Sequence, residues 1–299
     1  MQINPNITPD ILSDLQQSQT ALNTALQQVA TGRSVSVPSD NPTAAAAMVQ
    51  NTVETGEVDQ YTQNVSTVLS SVETASSVLS NVVTALTQAV SLGTEGANGT
   101  NSASNMQAIA TQMQGVLATV VSAANTSVAG SYLFSGTGTT TPFTVDASSA
   151  SGYTYNGNTE ATSVAVGDSL SVQVNLPGSD IFSTASNNVL GALSSLVSAL
   201  QSGDASSIES ATNDVSSAIS YVGQQQAFYG NAESQLNSQE TFLQQDTVSL
   251  ATQATNLVGV DMATAATNLS QAETDNSAAL AATAKVLPNT LLNYLQPPS

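Results

Sequence analysis

The sequence contains no cysteine, no histidine and no tryptophan, and only two of its 299 residues are basic, Arg33 and Lys285. The absence of cysteine excludes a disulfide framework and a thiolate metal site. Histidine and cysteine are also the side chains that most often act as general bases, activated nucleophiles and zinc ligands. Phosphate-binding and EF-hand loop motifs are missing as well. We therefore expect a protein that is not an enzyme and that binds neither a metal nor a cofactor.

Positive charge is so scarce that the net charge is −19, from 21 acidic and two basic residues. A surface of that sign repels phosphate, so nucleic acids and anionic membranes are not expected partners. Charged residues make up only 8% of the chain, against about 25% in an average soluble protein. A merely solvated acidic surface and an acidic face that selects a partner both fit this composition.

Large apolar side chains are also few, since aromatic residues make up 4% of the chain. The hydrophobic share of 40% consists largely of Ala and Val, which favours thin, extended packing over a thick core. No run approaches the roughly 18 apolar residues of a membrane span. The first ten residues lack the basic and apolar regions of a cleaved secretory signal. We expect a soluble protein that carries no such signal.

Apolar residues repeat every seven positions in both halves of the chain. The second-half series is uninterrupted by proline and consists of Ile208, Val215, Val222, Tyr229, Leu236, Leu243, Leu250 and Leu257. The first-half series consists of Val65, Val72, Leu79 and Leu86. Each series predicts a long helix with one continuous apolar seam. Together they predict a mainly α fold, a long antiparallel helical bundle or coiled coil formed by the N- and C-terminal arms.

The first long helix and two shorter ones can be given bounds, and a region of different character lies between the two shorter ones. Apolar spacing and capping residues predict helices over 42–92, 104–128 and 188–201. Between residues 130 and 182 the period changes to two around turn residues such as Asn156-Gly157, which predicts a small β-rich insertion.

The chain accordingly divides into five predicted segments. In chain order they are an N-terminal helix with a joint (1–41), the first half of a helical rod (42–129), the β-rich insertion (130–183), the second half of the rod (184–257) and a C-terminal helix (258–299).

Both ends of the chain carry leucines and isoleucine at a spacing of eleven. The predicted contact residues of these stripes are Ile11, Leu15, Leu22, Leu26, Leu269, Leu280 and Leu291. Eleven residues in three turns give nearly straight stripes that differ from the heptad seams of the rod. Such narrow stripes fit either a subunit interface or a plain intramolecular core.

The stretch VATGRSVSVPSDNPT (29–43) predicts a joint between two helices. Gly32 is suited to a left-handed helix cap, and Pro38 and Pro42 exclude helix until the next one begins, with Pro42 at its first position. Arg33 follows a helix C-terminus, where a positive charge complements the helix dipole. The alternative for Arg33 is an ion pair with an acidic residue of the other arm or of a neighbouring subunit.

Four stretches resemble the bacterial flagellin superfamily, and within it the proteins that join hook to filament. They are LQQSQTALNTALQQVATGRSVSVPSDNPTAAAAM (15–48), GSYLFSGTGTTTPF (130–143), YNGNTEATSVAVGDSLSVQVNLPGSDIF (155–182) and LLNYL (291–295). Flagellins resemble one another in an SAKDDAA-like segment, where this chain has SVPSDNP (36–42). The chain also departs from the family in its few basic residues and in Pro288, which is expected to interrupt the last helix.

The resemblance implies a structural subunit that is exported through the flagellum's own channel to the cell exterior. It implies self-assembly into a helical layer between hook and filament through the terminal helices. The implied partners are an adjacent hook-associated protein, flagellin and an export chaperone. Two alternatives remain, a flagellin that builds the filament and a secreted coiled-coil adhesin.

Overall fold

The computed structural model describes residues 7–149 and 151–295, with the side chains of 12–149 and 151–285. Helices dominate this part of the chain. They are α1 (Ile7–Thr31), α2 (Pro42–Gly96), α3 (Ala103–Ala124), α4 (Gly178–Phe182), α5 (Val189–Ser202), α6 (Ala205–Val258) and α7 (Met262–Leu295). The strands are β1 (Ser127–Val128), β2 (Ser131–Tyr132), β3 (Phe143–Val145), β4 (Tyr153–Tyr155), β5 (Ser163–Ala165) and β6 (Ser171–Gln173).

The described chain forms two compact units. The terminal unit consists of residues 7–57 and 246–295, and the central unit consists of residues 58–245. The division into five segments remains a prediction.

The heptad series form the core of the central unit, as the sequence predicts. On α2 the four predicted heptad residues are fully buried, at 0% exposure for Val65, Val72, Leu79 and Leu86. On α6 the members of the series within this unit are at most 2% exposed. Gly93 lies against Thr212, and Gly96 lies against Ile208. The two long helices therefore pair antiparallel, with their apolar seams facing each other.

Helix α2 extends to Gly96, past the predicted end at residue 92. The sequence predicts that Gly93 helps to close the helix, but a Cβ there would meet the side chains of Thr212 and Leu196. Close packing, rather than a turn, therefore accounts for glycine at this position.

Helix α3 ends at Ala124, four residues before the predicted end at 128. Asn125 stops it by pairing with strand β3. The Phe143 N–H donates to Asn125 Oδ1 at 2.8 Å, and Asn125 Nδ2 donates to the Phe143 carbonyl at 2.9 Å. This non-local contact outweighs the helical spacing of the apolar residues up to Val128.

Helix α5, Val189–Ser202, agrees with the predicted helix over 188–201 to within one residue at each end. Asn188 Oδ1 accepts the Gly191 N–H at 2.7 Å, and Gly203 is left-handed with φ +70° just past the helix. The cap groups thus satisfy backbone atoms that a helix end leaves unpaired. In α7 the outcome differs from the prediction, because the helix continues through Pro288 to Leu295. Proline removes a single N–H donor, and the neighbouring residues retain theirs.

The insertion contains three antiparallel two-stranded sheets, β1–β2, β3–β4 and β5–β6. Val164 faces Val172 in β5–β6, in agreement with the alternation. Strand β4, however, pairs with β3, the strand that precedes it in the chain, and Tyr155 lies opposite Phe143. Asn156-Gly157, which follows β4, is therefore not the turn of a hairpin. The Tyr155 hydroxyl donates a hydrogen bond to the Phe134 carbonyl at 2.9 Å. This side-chain contact fixes the end of β4 in a way that period-two spacing cannot reveal.

The insertion has a small aromatic core. Phe134 and Phe182 meet edge to face with ring centroids 5.4 Å apart, and Phe143 and Phe182 do so at 5.7 Å. These geometries are the preferred ones for aromatic pairs.

One helix, Pro42–Gly96, has an 18-residue window with mean hydropathy of 1.2, long and apolar enough to span a membrane by length and composition. The expectation that no segment approaches a membrane span is therefore wrong for this helix, by length and composition. In the protein, 44% of this window is buried, which is also what the core helix of a bundle shows.

Candidate subunit interface

Helices α1 and α7 pair in the terminal unit but bury very little. Among their described side chains, only Ala25 of α1 (5% exposed) and Ala265 of α7 (0%) are buried. An alanine buries little apolar area, whereas a buried leucine contributes about 1.5–3 kcal/mol. Over their described side chains, the terminal helices therefore show no leucine or valine core of the kind that stabilises the central unit.

The predicted contact residues lie on these helices with much of their surface open. Leu15, Leu22 and Leu269 are half-buried. Leu26 is 46% exposed and Leu280 is 48% exposed. Their assignment to a subunit interface remains a prediction. The backbones of Ile11 and Leu291 lie in α1 and α7, but their side chains are outside the described residues.

Sequence reasoning missed other exposed apolar residues of the terminal unit. They are Leu12, Val37, Val49, Val53, Val248 and Met262, each between 49% and 67% exposed. Val49 and Val53 are four residues apart on α2 and outside its heptad series. That spacing is the signal that could have identified them, since it places both on one helix face.

A groove of about 840 Å³ runs between α1 and α7. Its lining is mostly small or amide side chains, with two carboxylates. The lining residues are Asp14, Gln17, Ser18, Thr20, Ala21, Thr24, Ala25, Gln28, Asn268, Gln271, Ala272 and Asp275. Ser18 Oγ is buried here without a hydrogen-bond partner in the described chain. An unpaired buried hydroxyl is destabilising, so this groove suits a further polar contact.

The joint ties the two ends of the chain together through backbone hydrogen bonds. Gly32 takes the left-handed conformation expected for it, with φ +68°. Arg33 then forms an antiparallel bridge with Gly259. The Ser34 N–H donates to the Val258 carbonyl at 2.7 Å, and the Val260 N–H donates to the Gly32 carbonyl at 3.0 Å. Two segments far apart in sequence are thereby held in register.

A tight turn leads from the joint into α2. Pro38 lies in the turn closed by the Asp40 N–H, which donates to the Val37 carbonyl at 3.0 Å. Asp40 Oδ2 accepts the Val37 and Ser36 N–H groups, and these bonds lower the pKa of its carboxyl. The Ala44 N–H donates to Asn41 Oδ1 at 3.1 Å, and Pro42 is the first residue of α2. Asn41 therefore caps the N-terminus of α2.

On the other strand of the joint, Asp261 caps α7. Its Oδ1 accepts the Ala263 N–H at 3.0 Å, and this bond and that of Thr264 lower its pKa. Glycine is required at position 259, because a Cβ there would collide with the Thr255 carbonyl in the last turn of α6. Sequence reasoning identified neither residue, although Gly259 followed by Asp261 is a recognisable helix stop and start.

Asn51 is a buried polar residue of the terminal unit that was also missed. It is 3% exposed, and its Nδ2 donates to the Leu250 carbonyl at 3.1 Å and to Gln253 Oε1 at 3.3 Å. The available signal was its spacing, since Asn51 lies fourteen residues, or two heptads, before Val65. A single buried amide at such a position sets the register between helices.

Arg33 itself is exposed. Its guanidinium makes no ion pair among the residues that the structure describes. Its position after α1, which ends at Thr31, fits the dipole interpretation. The alternative, a pair with a neighbouring subunit, stays open.

No groups of three or more acidic side chains suited to a metal ion occur in the described ranges. The polar features of the terminal unit are thus caps, turns and register contacts.

Two family models match the chain. The model of the bacterial flagellin N-terminal helical region matches residues 3–139, and that of the bacterial flagellin C-terminal helical region matches residues 209–295. The chain belongs to the bacterial flagellin family. Members of this family are structural components of the flagellum, and the matched regions include both terminal helices and both long helices of this flagellar protein.

Solved structures share the fold at low sequence identity. FlgL of Bacillus cereus is 21% identical with a TM-score of 0.60, matched over 69% of this chain and 99% of its own. The flagellar junction protein FlgL of Legionella pneumophila is 15% identical with a TM-score of 0.60, over 71% and 100%. A Vibrio parahaemolyticus protein provisionally described as flagellar hook-associated is 18% identical with a TM-score of 0.67, over 74% and 100%. No curated protein matches the sequence.

Proposed function

We propose that this flagellin-family protein is the subunit of the junction layer between the flagellar hook and filament, and that it polymerises through its terminal helices. The observation that carries the proposal is the helix pair α1 and α7, in which one alanine per helix is buried among the described side chains. Ordering a residue's backbone costs about 1–2 kcal/mol, and each buried methylene contributes only about 0.8 kcal/mol. Such helices gain stability by packing against neighbouring copies.

In this proposal the half-buried and exposed leucines of the eleven-residue stripes become buried between subunits. Contacts that use two different surfaces of one chain do not close into a dimer, and they generate rings or helical arrays. The adjacent partners are a hook-associated protein on one side and flagellin on the other. An export chaperone binds the chain before passage through the flagellar channel, without a cleaved signal, to the cell exterior.

The descriptions of the similar structures favour the junction assignment. Two of the matched structures are FlgL proteins, and one of them is described as a flagellar junction protein. Each is matched over nearly its whole length.

Deletion of the gene tests the proposed function. Mutant cells are expected to form hooks and to secrete flagellin into the medium without attached filaments, because the layer that holds the first flagellin subunits is missing. Expression of the wild-type chain from a plasmid is expected to restore filaments. Electron microscopy of cells and immunoblots of the medium measure both effects. A deletion strain that retains attached filaments contradicts the proposal.

A second candidate function is that of a flagellin, favoured by the two family models described as flagellin terminal regions. A flagellin grows into micron-long filaments from purified protein alone, and its deletion removes flagellin from the medium. Electron microscopy of concentrated purified chain separates the two functions.

A further inference from the structure

The two basic residues, Arg33 and Lys285, both lie in the terminal unit. The central unit, residues 58–245, contains acidic residues and no basic residue. Two copies of the chain therefore repel each other over most of their surfaces. Attraction between opposite charges of two copies has to involve the terminal units.

Arg33 has a fixed backbone and an exposed side chain that forms no ion pair with the described residues. The bridge to Gly259 and the hydrogen bond from Ser34 to Val258 hold its backbone in place. The acidic residues near the joint in sequence, Asp40 and Asp261, both accept hydrogen bonds from backbone N–H groups. Among the described residues neither forms an ion pair with Arg33.

The groove between α1 and α7 has an acidic end. Helices α1 and α7 run side by side from the joint, so Gln28 and Asn268 line the near end and Asp14 and Asp275 line the far end. No basic side chain is among the lining residues. Gln271 Nε2 donates to Asp275 Oδ1 at 2.8 Å, which leaves the second oxygen and the Asp14 carboxylate to attract a cation.

A single copy cannot bring these charges together. Asp14 precedes Arg33 by 19 residues, which corresponds to about 28 Å along a helix at 1.5 Å per residue. That distance is far beyond the reach of one arginine side chain. An ion pair between Arg33 and the Asp14 carboxylate would therefore have to join two copies.

We propose that Arg33 of one copy docks against Asp14 and Asp275 at the acidic end of the α1/α7 groove of a second copy. This inference rests on the proposed function, because it specifies one contact within the layer. The joint and the far end of the groove are different surfaces, so the contact joins copies head to tail and leaves a free joint and a free groove at opposite ends. The planar guanidinium suits carboxylate oxygens in a bidentate arrangement.

Engineered cysteines test the geometry, since the chain has no cysteine of its own. The double variant Ser36→Cys/Gln17→Cys places one thiol in the joint and one in the groove wall near Asp14. Most of the length of α1 separates the two positions, so a disulfide between them must link two copies. Oxidation is expected to produce a ladder of dimers and higher multimers on a non-reducing gel, both for concentrated purified chain and for isolated flagella.

The matched control is Ser36→Cys/Gln19→Cys, because Gln19 is exposed on α1 but does not line the groove. A ladder at least five times stronger for the Gln17 variant supports the proposed contact. No ladder in either preparation, or equal ladders for the two variants, overturns it.

Charge reversal tests the ion pairs themselves. Arg33→Glu is expected to reduce the cross-linked fraction of the Ser36→Cys/Gln17→Cys chain by about fivefold, because like charges then meet at the acidic end. Adding Asp14→Lys and Asp275→Lys to Arg33→Glu is expected to restore it. The control Gln224→Glu adds negative charge to exposed α6 instead and is expected to change little. A cross-linked fraction unaffected by Arg33→Glu contradicts the proposal.

The failures of the two proposals are distinguishable. If the chain is absent from isolated flagella and its deletion leaves filaments attached, the junction function fails, while cross-linking in solution still decides the contact. If deletion detaches filaments but no specific ladder forms, the function stands and the Arg33 contact is wrong.

Discussion

Tyr229 is the only residue of the α6 heptad series that carries a polar group into the core. Its ring is 1% exposed, and its hydroxyl oxygen accepts the Leu176 N–H at 3.1 Å. A residue of the long helix thereby anchors the segment that follows strand β6. The spacing predicts the burial of the ring, but the partner of the hydroxyl is non-local and could not be inferred from the sequence.

Tyr229→Phe is expected to lower the free energy of unfolding by roughly 1 kcal/mol, because the half-buried Leu176 N–H loses its acceptor. Urea denaturation monitored by circular dichroism measures the change. Tyr61→Phe is the control, since Tyr61 is half-buried on α2 and its hydroxyl has no hydrogen bond in the described chain. Equal effects of the two substitutions would show that the Leu176 contact is not stabilising.

The same residue predicts a loss of stability in alkali. Burial raises the pKa of Tyr229 from 10.0 to about 12. Because the folded-state pKa lies above the unfolded value, the stabilisation is complete below pH 10 and is lost as the pH rises from about 10 through 12. Unfolding free energies across this range are expected to fall more steeply for the wild type than for Tyr229→Phe. Burial also raises the pKa of Tyr155, so the difference between the two proteins is the quantity to measure.

Two glycines with open surroundings predict opposite effects of alanine. Gly32 has φ +68°, and Gly223 is inside helix α6, with no atoms within 4 Å of an added Cβ at either site. Gly32→Ala is expected to destabilise the protein by about 1–2 kcal/mol through left-handed strain. Gly223→Ala is expected to stabilise it by about 0.5–1 kcal/mol through helix propensity. Thermal unfolding of the pair provides the comparison, and equal signs would contradict the backbone argument.

At the scale of elements, the long helices are the most predictable part of the fold. Seven-residue spacing over many turns predicts a helix and its buried face together. The ends of helices are less predictable where a distant residue decides them. Asn125 ends α3 by bonding to strand β3, and Gly93 remains inside α2 because Thr212 packs against it. Signals next to the helix, such as Pro42 at the first position of α2, are easier to predict because they depend on the adjacent sequence alone.

Substitutions in the terminal helices are expected to affect assembly without unfolding the central unit. Leu22→Asp or Leu280→Asp is expected to leave the central unit folded, because both residues belong to the terminal unit, yet to prevent incorporation into flagella. Circular dichroism of the purified variants and immunoblots of isolated flagella measure the two properties. Gln19→Asp, an exposed change on α1, is the control. Normal incorporation of both leucine variants would show that these faces are not the interface.

At the scale of the whole molecule, the family and the candidate interface are predictable to different degrees. Motifs at both ends and in the insertion identify the superfamily, because they span most of the chain. The eleven-residue stripes identify the terminal leucines. Spacing alone does not distinguish a helix face that binds another subunit from one that is buried within the same chain. The groove depends on how α1 and α7 pack, and the partners of Asn51 depend on how α2 and α6 pack, so both became visible only in three dimensions.

Limited proteolysis of dilute monomer is expected to remove roughly the first 40 and last 40 residues before the central unit is cut, because poorly packed ends open most readily. Thermolysin, which cleaves beside apolar residues, reaches sites throughout the chain. Mass spectrometry of the resistant core locates its ends. Uniform resistance from end to end would contradict assembly-dependent packing of the terminal helices.

The placement of Arg33 and Lys285 at the two ends of the described chain has a practical consequence for detection. Trypsin cleaves only after lysine and arginine, so a complete digest leaves residues 34–285 as one fragment. Such a fragment is far too large for routine peptide sequencing. Proteome surveys that depend on trypsin will therefore under-report this protein even in abundantly flagellated cells, and digestion with an enzyme specific for acidic residues will recover it.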